Sequence, residues 1–208
     1  MTSQRHSTRR SEPAPVAPEA ARAIPEPVLA ATREIVLAVG VRRTTLTDVA
    51  RRAGVSRMTL YRLVPDVTTL ILAVVTREFA ALLAAAEAAS RRRRSARTRI
   101  VAVTVEVARR LPEEPLFRRV LDVDPELVLP YLTERLGATQ RLAIEHVRER
   151  LADGVTDGSV RRGDLDVMAT TLVVVATSYV VSARLLDEVG RSSALDELSR
   201  LVDGWLRP

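Results

Sequence analysis

From about residue 25 onward, hydrophobic positions recur at the alternating three-and-four spacing of amphipathic helices. Val28, Ile35, Val36 and Val39 mark a first helix ending at Gly40, a natural C-terminal stop. Thr44 and Thr45 are candidate N-caps for a second helix of about eight residues carrying Leu46, Val49, Ala50 and Ala53, which Gly54 ends. Ser56 can cap a third short helix with Leu60 and Leu63, and Pro65-Asp66 ends that helix and caps a fourth over 67–89. Further helices are predicted over 96–111, 114–121, 125–153, 164–189 and 193–206, with breaks at Pro112, Pro115, Pro125, the DGVTDGS segment and Gly190. Pro130 either kinks the 125–153 segment or marks its true start. The pattern predicts nine helices and no internal repeat. Residues 1–24 carry prolines among Ala, Ser and charges without an apolar period, and read as a mobile basic arm.

Composition agrees with an all-α class: 47% of residues are hydrophobic, only 3% are aromatic, and 8 are glycine in a chain of 208. The absence of cysteine excludes disulfides, thiol nucleophiles and Cys-based metal sites, and His6 and His146 lie far apart with no metal-binding spacing, so neither cofactor nor metal is expected. Arg5, Arg9 and Arg10 run into a Pro/Ala/Glu stretch without an apolar core, unlike a secretory signal, which implies a cytoplasmic protein. The apolar run Val167–Ala183 is interrupted by Thr170, Thr171, Thr177 and Ser178 and is shorter than a membrane span, so it reads as a buried helix and no membrane partner is expected. The net charge of +6 is unevenly placed: residues 1–62 hold eleven arginines against five acids, while 63–208 are balanced.

The excess charge therefore surrounds one motif, ARRAGVSRMTLY at 50–61. Two short helices joined at a glycine form a helix-turn-helix, whose first helix braces the second in the major groove. Small Ala50 permits a close crossing, and Val49, Val55, Leu60 and Leu63 fall where a shared core needs apolar groups. The outer side then carries Arg57, Met58, Thr59, Tyr61 and Arg62, types able to meet base edges, thymine methyls and phosphates. Arg51 and Arg52 read instead as solvated helix-face charges, and the RRRR run at 91–94 as a helix terminus favoured by the helix dipole.

The stretch GVRRTTLTDVARRAGVSRMTLYRLVPDVTTL resembles the tetracycline-repressor (TetR) family of transcriptional regulators over roughly residues 25–75. That resemblance implies an all-α fold in which a three-helix DNA-binding unit at 25–70 precedes a ligand-binding and dimerisation domain at 71–208. It implies that Thr45 caps a helix and meets a phosphate, that Ser56 opens the recognition helix, and that Arg57, Met58 and Thr59 read bases. Tyr61 takes a phosphate or base position, and Arg43 and Arg62 add phosphate contacts. Leu63, Val64 and Val67 depart from the family pattern; Leu63 and Val67 remove two phosphate contacts, shifting weight to Arg42, Arg43, Arg57, Arg62 and the basic arm.

The same resemblance implies a homodimer built from the last two helices, double-stranded palindromic DNA as partner, and a small-molecule effector that releases it. Apolar positions from Val167 to Ala183, with Leu195, Leu198, Leu201, Val202 and Trp205, are the interface candidates. Polar groups on apolar helices supply the pocket candidates: Thr104, Tyr131, Gln140, Thr171, Ser178 and Tyr179, with Glu106 and His146 considered and His146 read as exposed. Two other readings exist. One is an enzyme using the carboxylates of Asp122, Asp124 and Glu126, although Pro125 beside them suggests helix-start residues, and no catalysis is expected. The other is a helix-turn-helix regulator acting through protein contacts, or one that has lost DNA binding.

Overall fold

The structure is a computed structural model that describes residues 24–208 apart from 124, 128 and 135. The arm with Arg5, Arg9 and Arg10, and His6, lie outside those residues. The described chain is helical: α1 (Glu26–Val39), α2 (Leu46–Ala53), α3 (Arg57–Leu63), α4 (Val67–Ser90), α5 (Ala96–Arg110) and α6 (Pro115–Val123) are followed by α7 (Leu129–Thr133), α8 (Ala138–Thr156), α9 (Leu165–Val181), α10 (Ala183–Glu188) and α11 (Arg191–Leu206). Single 3-10 turns occupy Val41–Arg43, Leu111–Glu113 and Pro125–Leu127. The all-α expectation holds.

Two predicted helices are each divided, giving eleven helices among the described residues rather than nine. The 125–153 segment breaks at Gly137, not at Pro130, which sits near the start of α7 where its missing N–H costs no helix bond. Gln140 holds that break: its Oε1 accepts from Gly137 N at 3.2 Å and its Nε2 donates to the Tyr131 carbonyl at 2.8 Å. The 164–189 segment breaks at Ser182, the C-cap of α9, which has no proline or glycine to announce it. In the other direction, α8 runs through the DG pair to Thr156, because Gly154 is buried and a Cβ there would stand 2.3 Å from Val160 Cγ2. That glycine serves a close approach between segments rather than a turn.

The N-terminal part forms its own core. Val28, Val36, Val49, Leu60, Leu70 and Val74 are all fully buried within one cluster, each burial contributing roughly 1.5–3 kcal/mol. Leu116 and Val120 of α6 enter the same cluster, so a helix from the C-terminal region completes the core of the N-terminal one. The boundary expected at residue 70 falls inside α4, which passes without interruption from one core to the next. At 24 residues α4 is about 36 Å long. Among the described residues it is the one helix long and apolar enough to cross a membrane, yet more than half of that apolar stretch is buried against α1, α5 and α8.

A second cluster, centred on Leu151, Leu172, Leu198, Val202 and Leu206, joins α5, α8, α9 and α11. Leu195, Leu198 and Val202 thus lie in the chain's own core instead of lining an interface, as does Leu172, and Val173 and Val180 of α9 are buried as well. Of the expected interface positions, Val167 and Leu201 remain exposed, joined by Val174 and, on α10, by Leu185. The loop after α8 is fixed to the end of the chain, where Arg161 donates to Trp205 and Leu206 carbonyls and its guanidinium lies 5.0 Å from the Trp205 ring centre.

Candidate DNA interface and effector cavity

Three successive helices, α2, α3 and α4, are each started by a short polar side chain. Thr45 Oγ1 accepts from Asp48 N at 3.1 Å and donates to Asp48 Oδ2 at 2.6 Å, starting α2. Thr44, the other cap candidate, is buried, its hydroxyl donating to Gly40 O at 2.8 Å. Ser56 Oγ accepts from Thr59 N at 3.0 Å and lies 2.8 Å from Thr59 Oγ1, while Asp66 Oδ1 accepts from Thr69 N at 2.6 Å. Between α2 and α3, Gly54 takes the left-handed conformation with φ 68° and ψ 24°, and Val55 N reaches back to Ala50 O at 3.0 Å. No atom stands within 4 Å of where a Cβ would project from Gly54, so backbone geometry, not space, demands the glycine.

This geometry leaves α3 anchored through fully buried Leu60 and half-buried Leu63, with its other side chains outward. Arg57, Met58, Thr59, Tyr61 and Arg62 are all exposed, as are Thr45, Ser56 and Arg43. Met58 at 71% and Tyr61 at 55% exposure are the two large apolar side chains that this unit leaves in solvent. Arg57 and Arg62 have no ion-pair partner among the described residues. Their neighbours differ: Arg51 pairs with Asp48 at 2.8 Å and Arg52 with Glu34 at 2.6 Å, as surface charges do. Arg43 Nε donates to Val39 O at 3.0 Å, and Arg42 reaches Glu126 at 2.5 Å. Leu63 and Val67 are half-buried against the core, so those two positions contribute packing.

The carboxylates considered for catalysis do not converge. Asp122 is bound by Arg184 at 2.7 Å and Glu126 by Arg42, both at the surface, and Asp124 lies outside the described residues. The hydrogen bond from Arg42 holds the Glu126 carboxyl below its usual range, the opposite of what a general acid needs. Glu106 is likewise held low by the hydrogen bond from Arg109 on its own helix.

In the C-terminal region a cavity of about 160 Å³ lies among α4, α5, α6, α8 and α9. Its wall is mostly aliphatic and aromatic, with Phe79 and Leu83 from α4, Val103 and Val107 from α5, and Phe117 from α6. Thr104, Tyr131 and Gln140 stand in this wall. Thr171, Ser178 and Tyr179 do not: the Thr171 and Ser178 hydroxyls are exposed and bond the Val167 and Val175 carbonyls, and Tyr179 packs against the second core. The face of α9 that meets the cavity is Val173, Ala176, Thr177 and Val180, a three-and-four spacing that passes between the two polar residues chosen from sequence. Glu106 is also off the cavity, whereas His146, expected to be exposed, is a half-buried wall residue. Its Nε2 approaches Glu87 Oε1 to 2.7 Å without the alignment of a hydrogen bond, and both atoms are shut off from solvent. Thr76 and Thr139, passed over in the sequence, also face the cavity and share a hydrogen bond of 2.9 Å.

Ile71 of α4 and Val120 of α6 belong both to this wall and to the core of the N-terminal unit. The cavity and the core that seats the helix-turn-helix therefore share two helices.

Comparison with known proteins agrees with this organisation. Residues 28–70 match the model of the bacterial regulatory proteins of the tetR family. An HTH-type transcriptional regulator of Mycobacterium bovis is 38% identical over 180 residues, spanning 86% of this chain and 92% of that protein. A Mycobacterium tuberculosis counterpart is 37% identical with the same coverage. In fold, the chain is similar to the R. erythropolis transcriptional repressor QsdR, with a TM-score of 0.66 and 21% identity over 91% of this chain and 97% of that one. It is similar also to the repressor AlkX from a Dietzia strain, with a TM-score of 0.65 and 19% identity over 86% and 92%. The chain belongs to the tetR family of bacterial transcriptional regulators.

Proposed function

We propose that this regulator is a repressor that binds a palindromic DNA operator as a homodimer and is released by a small molecule held in the cavity. The observation that carries the reading is the outer face of α3, where Met58 and Tyr61 are exposed beside Arg57 and Arg62, which have no ion-pair partner among the described residues. Large apolar groups left in water beside uncompensated cations suit a DNA groove, with its methyls and phosphates. Arg57 and Met58 take base-reading positions, with Thr59 beside them already turned toward Ser56. Arg43, Arg62, Tyr61, Ser56 and Thr45 border the backbone.

Dimerisation is supported by the exposed apolar residues Val167, Val174, Leu185 and Leu201 on α9, α10 and α11. Two α3 helices held about 34–36 Å apart would read two half-sites one turn apart. Release follows from shared elements: a molecule that changes the packing of Ile71 or Val120 acts on helices that also seat the helix-turn-helix. It favours whichever of two global arrangements it binds better.

Selection of bound sequences from a random DNA pool tests the reading. Enrichment of a palindrome, with affinity falling steeply as salt rises, is the expected result. Sequence-indifferent binding, or none, would sink it and leave a regulator that works through protein contacts.

A further inference from the structure

The cavity wall is selective in its chemistry. The chain holds 32 basic and 26 acidic residues. Among the described residues no arginine, aspartate or glutamate faces the cavity; Tyr131 and His146 are the titratable groups there. Glu87 stands behind His146, its Oε1 shut off from the space. An ionic ligand would give up its hydration in this space with no arginine, aspartate or glutamate on the wall to offset the loss.

The polar atoms that do face the cavity divide into two sets. Thr76 and Thr139 bond each other, and Gln140 is committed on both ends to the Gly137 turn. Thr104, only 7% exposed, and Thr177 have no hydrogen-bond partner among the described residues. A hydroxyl that opens onto an apolar cavity without a protein partner is free to bond a ligand. These two hydroxyls can donate or accept, and so suit a neutral oxygen as well as another hydroxyl. The shape narrows the class again. Along α4 the wall runs from Ile71 to Leu83, about 18 Å of helix, around a volume of only about 160 Å³. That length of wall suits an extended molecule.

Resting on the reading of this cavity as the effector site, we propose that its ligand is an uncharged, elongated, mainly hydrocarbon molecule bearing a hydroxyl or carbonyl oxygen that bonds Thr104 and Thr177. Carboxylates, phosphate esters and ammonium compounds of equal chain length are disfavoured by desolvation, since no Arg, Asp or Glu on the described wall offsets the hydration they lose.

The test uses the full DNA-free chain and three dodecyl probes: dodecanol kept below its solubility limit, and dodecanoate at neutral pH and dodecyltrimethylammonium kept below their micelle concentrations. Binding is read by calorimetry and by thermal shift. Dodecanol is expected to bind at least about ten-fold more tightly than either charged probe. Thr104→Val, which keeps the side-chain shape, is expected to weaken dodecanol about five-fold, and Thr104→Ser to restore it. Ala176→Leu, which fills part of the cavity, is expected to abolish binding of dodecanol. The inference is overturned if dodecanoate or the ammonium probe matches dodecanol, if no probe binds, if Thr104→Val leaves the dodecanol affinity unchanged, or if Ala176→Leu does. Adding dodecanol to the operator complex separates the two claims: binding without DNA release overturns the effector reading and leaves the ligand class intact.

Discussion

The two halves of this regulator place their working residues on opposite sides of the helices. In the N-terminal unit the interior is closed by fully buried residues such as Val49, Leu60 and Val74, and the candidate contacts point outward from α3. In the C-terminal region the helices stand around a cavity, and the candidate contacts point inward. A reading surface needs rigidity, since a shift of an ångström misplaces a side chain against a base edge. A receptor needs room, and its helices accept less packing on the cavity side in return. The contrast teaches that one fold can combine a dense head with a hollow body, provided that helices such as α4 and α6 belong to both.

The sharpest way to break this contrast is to make one substitution in each half. Leu60→Ala in the dense core is expected to cost about 2–5 kcal/mol, whereas Leu72→Ala on the cavity wall, beside space that is already empty, should cost less than half as much. Chemical denaturation of both variants measures this. Equal losses would mean that the cavity closes in solution.

Next in size is the effect on DNA affinity. Arg57→Ala is expected to weaken operator binding by about 1–3 kcal/mol without lowering the melting temperature, because its side chain supports nothing in the fold. Arg51→Ala, removing a charge already paired with Asp48, should change affinity much less. A titration by fluorescence anisotropy that found both variants equally weakened would reduce the α3 face to general electrostatics.

Backbone geometry gives a pair of opposite sign. Gly54→Ala should destabilise by about 1–2 kcal/mol, the cost of a left-handed residue, since the added methyl meets nothing. Gly204→Ala, inside α11 and equally unobstructed, should stabilise by roughly 0.5–1 kcal/mol. Thermal unfolding of the two variants decides whether the turn is held by conformation alone.

The smallest expected effect lies far from the DNA face. Asp157 accepts from Ala96 N at 2.8 Å and from Ser159 N at 2.9 Å, and the Ala96 hydrogen bond above all keeps its carboxyl below the usual range. A depressed native value means that the contribution is present at neutral pH and is lost as pH falls through that value. Asp157→Asn should therefore cost about 0.5–1 kcal/mol at pH 7, and the gap to the parent protein should close below about pH 4. A gap unchanged with pH would show that shape, not charge, holds the start of α5.

Legibility followed the same divide. The helix-turn-helix could be read because each of its constraints is local: a cap within three residues, a left-handed turn that wants glycine, a core position at a fixed offset. Thr45, Ser56, Gly54 and Asp66 adopt the expected roles in starting or stopping helices. The cavity could be read only in part. Thr104, Tyr131 and Gln140 were found by looking for polar residues on apolar helices, but that rule cannot choose a face. On α9 it selected Thr171 and Ser178, seven positions apart on the solvent side, and missed Thr177 between them. Hydrophobic periodicity shows that such a helix is buried on most sides, and it does not show which side is covered by protein and which by empty space. His146 was misjudged for a related reason: its charged neighbours Glu145 and Arg148 pair on the outer face, while the imidazole turns inward to Glu87 from a different helix.

The sequence by itself determined the helical class, the positions of most helix ends and the composition of the α3 surface, because capping, turn conformation and amphipathic period act within a few residues. Tertiary structure alone decided the breaks at Gly137 and Ser182, the burial of Leu195, Leu198 and Val202 in the chain's own core, and the choice of threonines that face the cavity. The burial and the choice of cavity face depend on contacts between residues far apart in the chain, such as Leu151 of α8 with Leu198 of α11 or Val120 of α6 against α1, and on how closely whole helices can approach. Local pattern carries no measure of that distance.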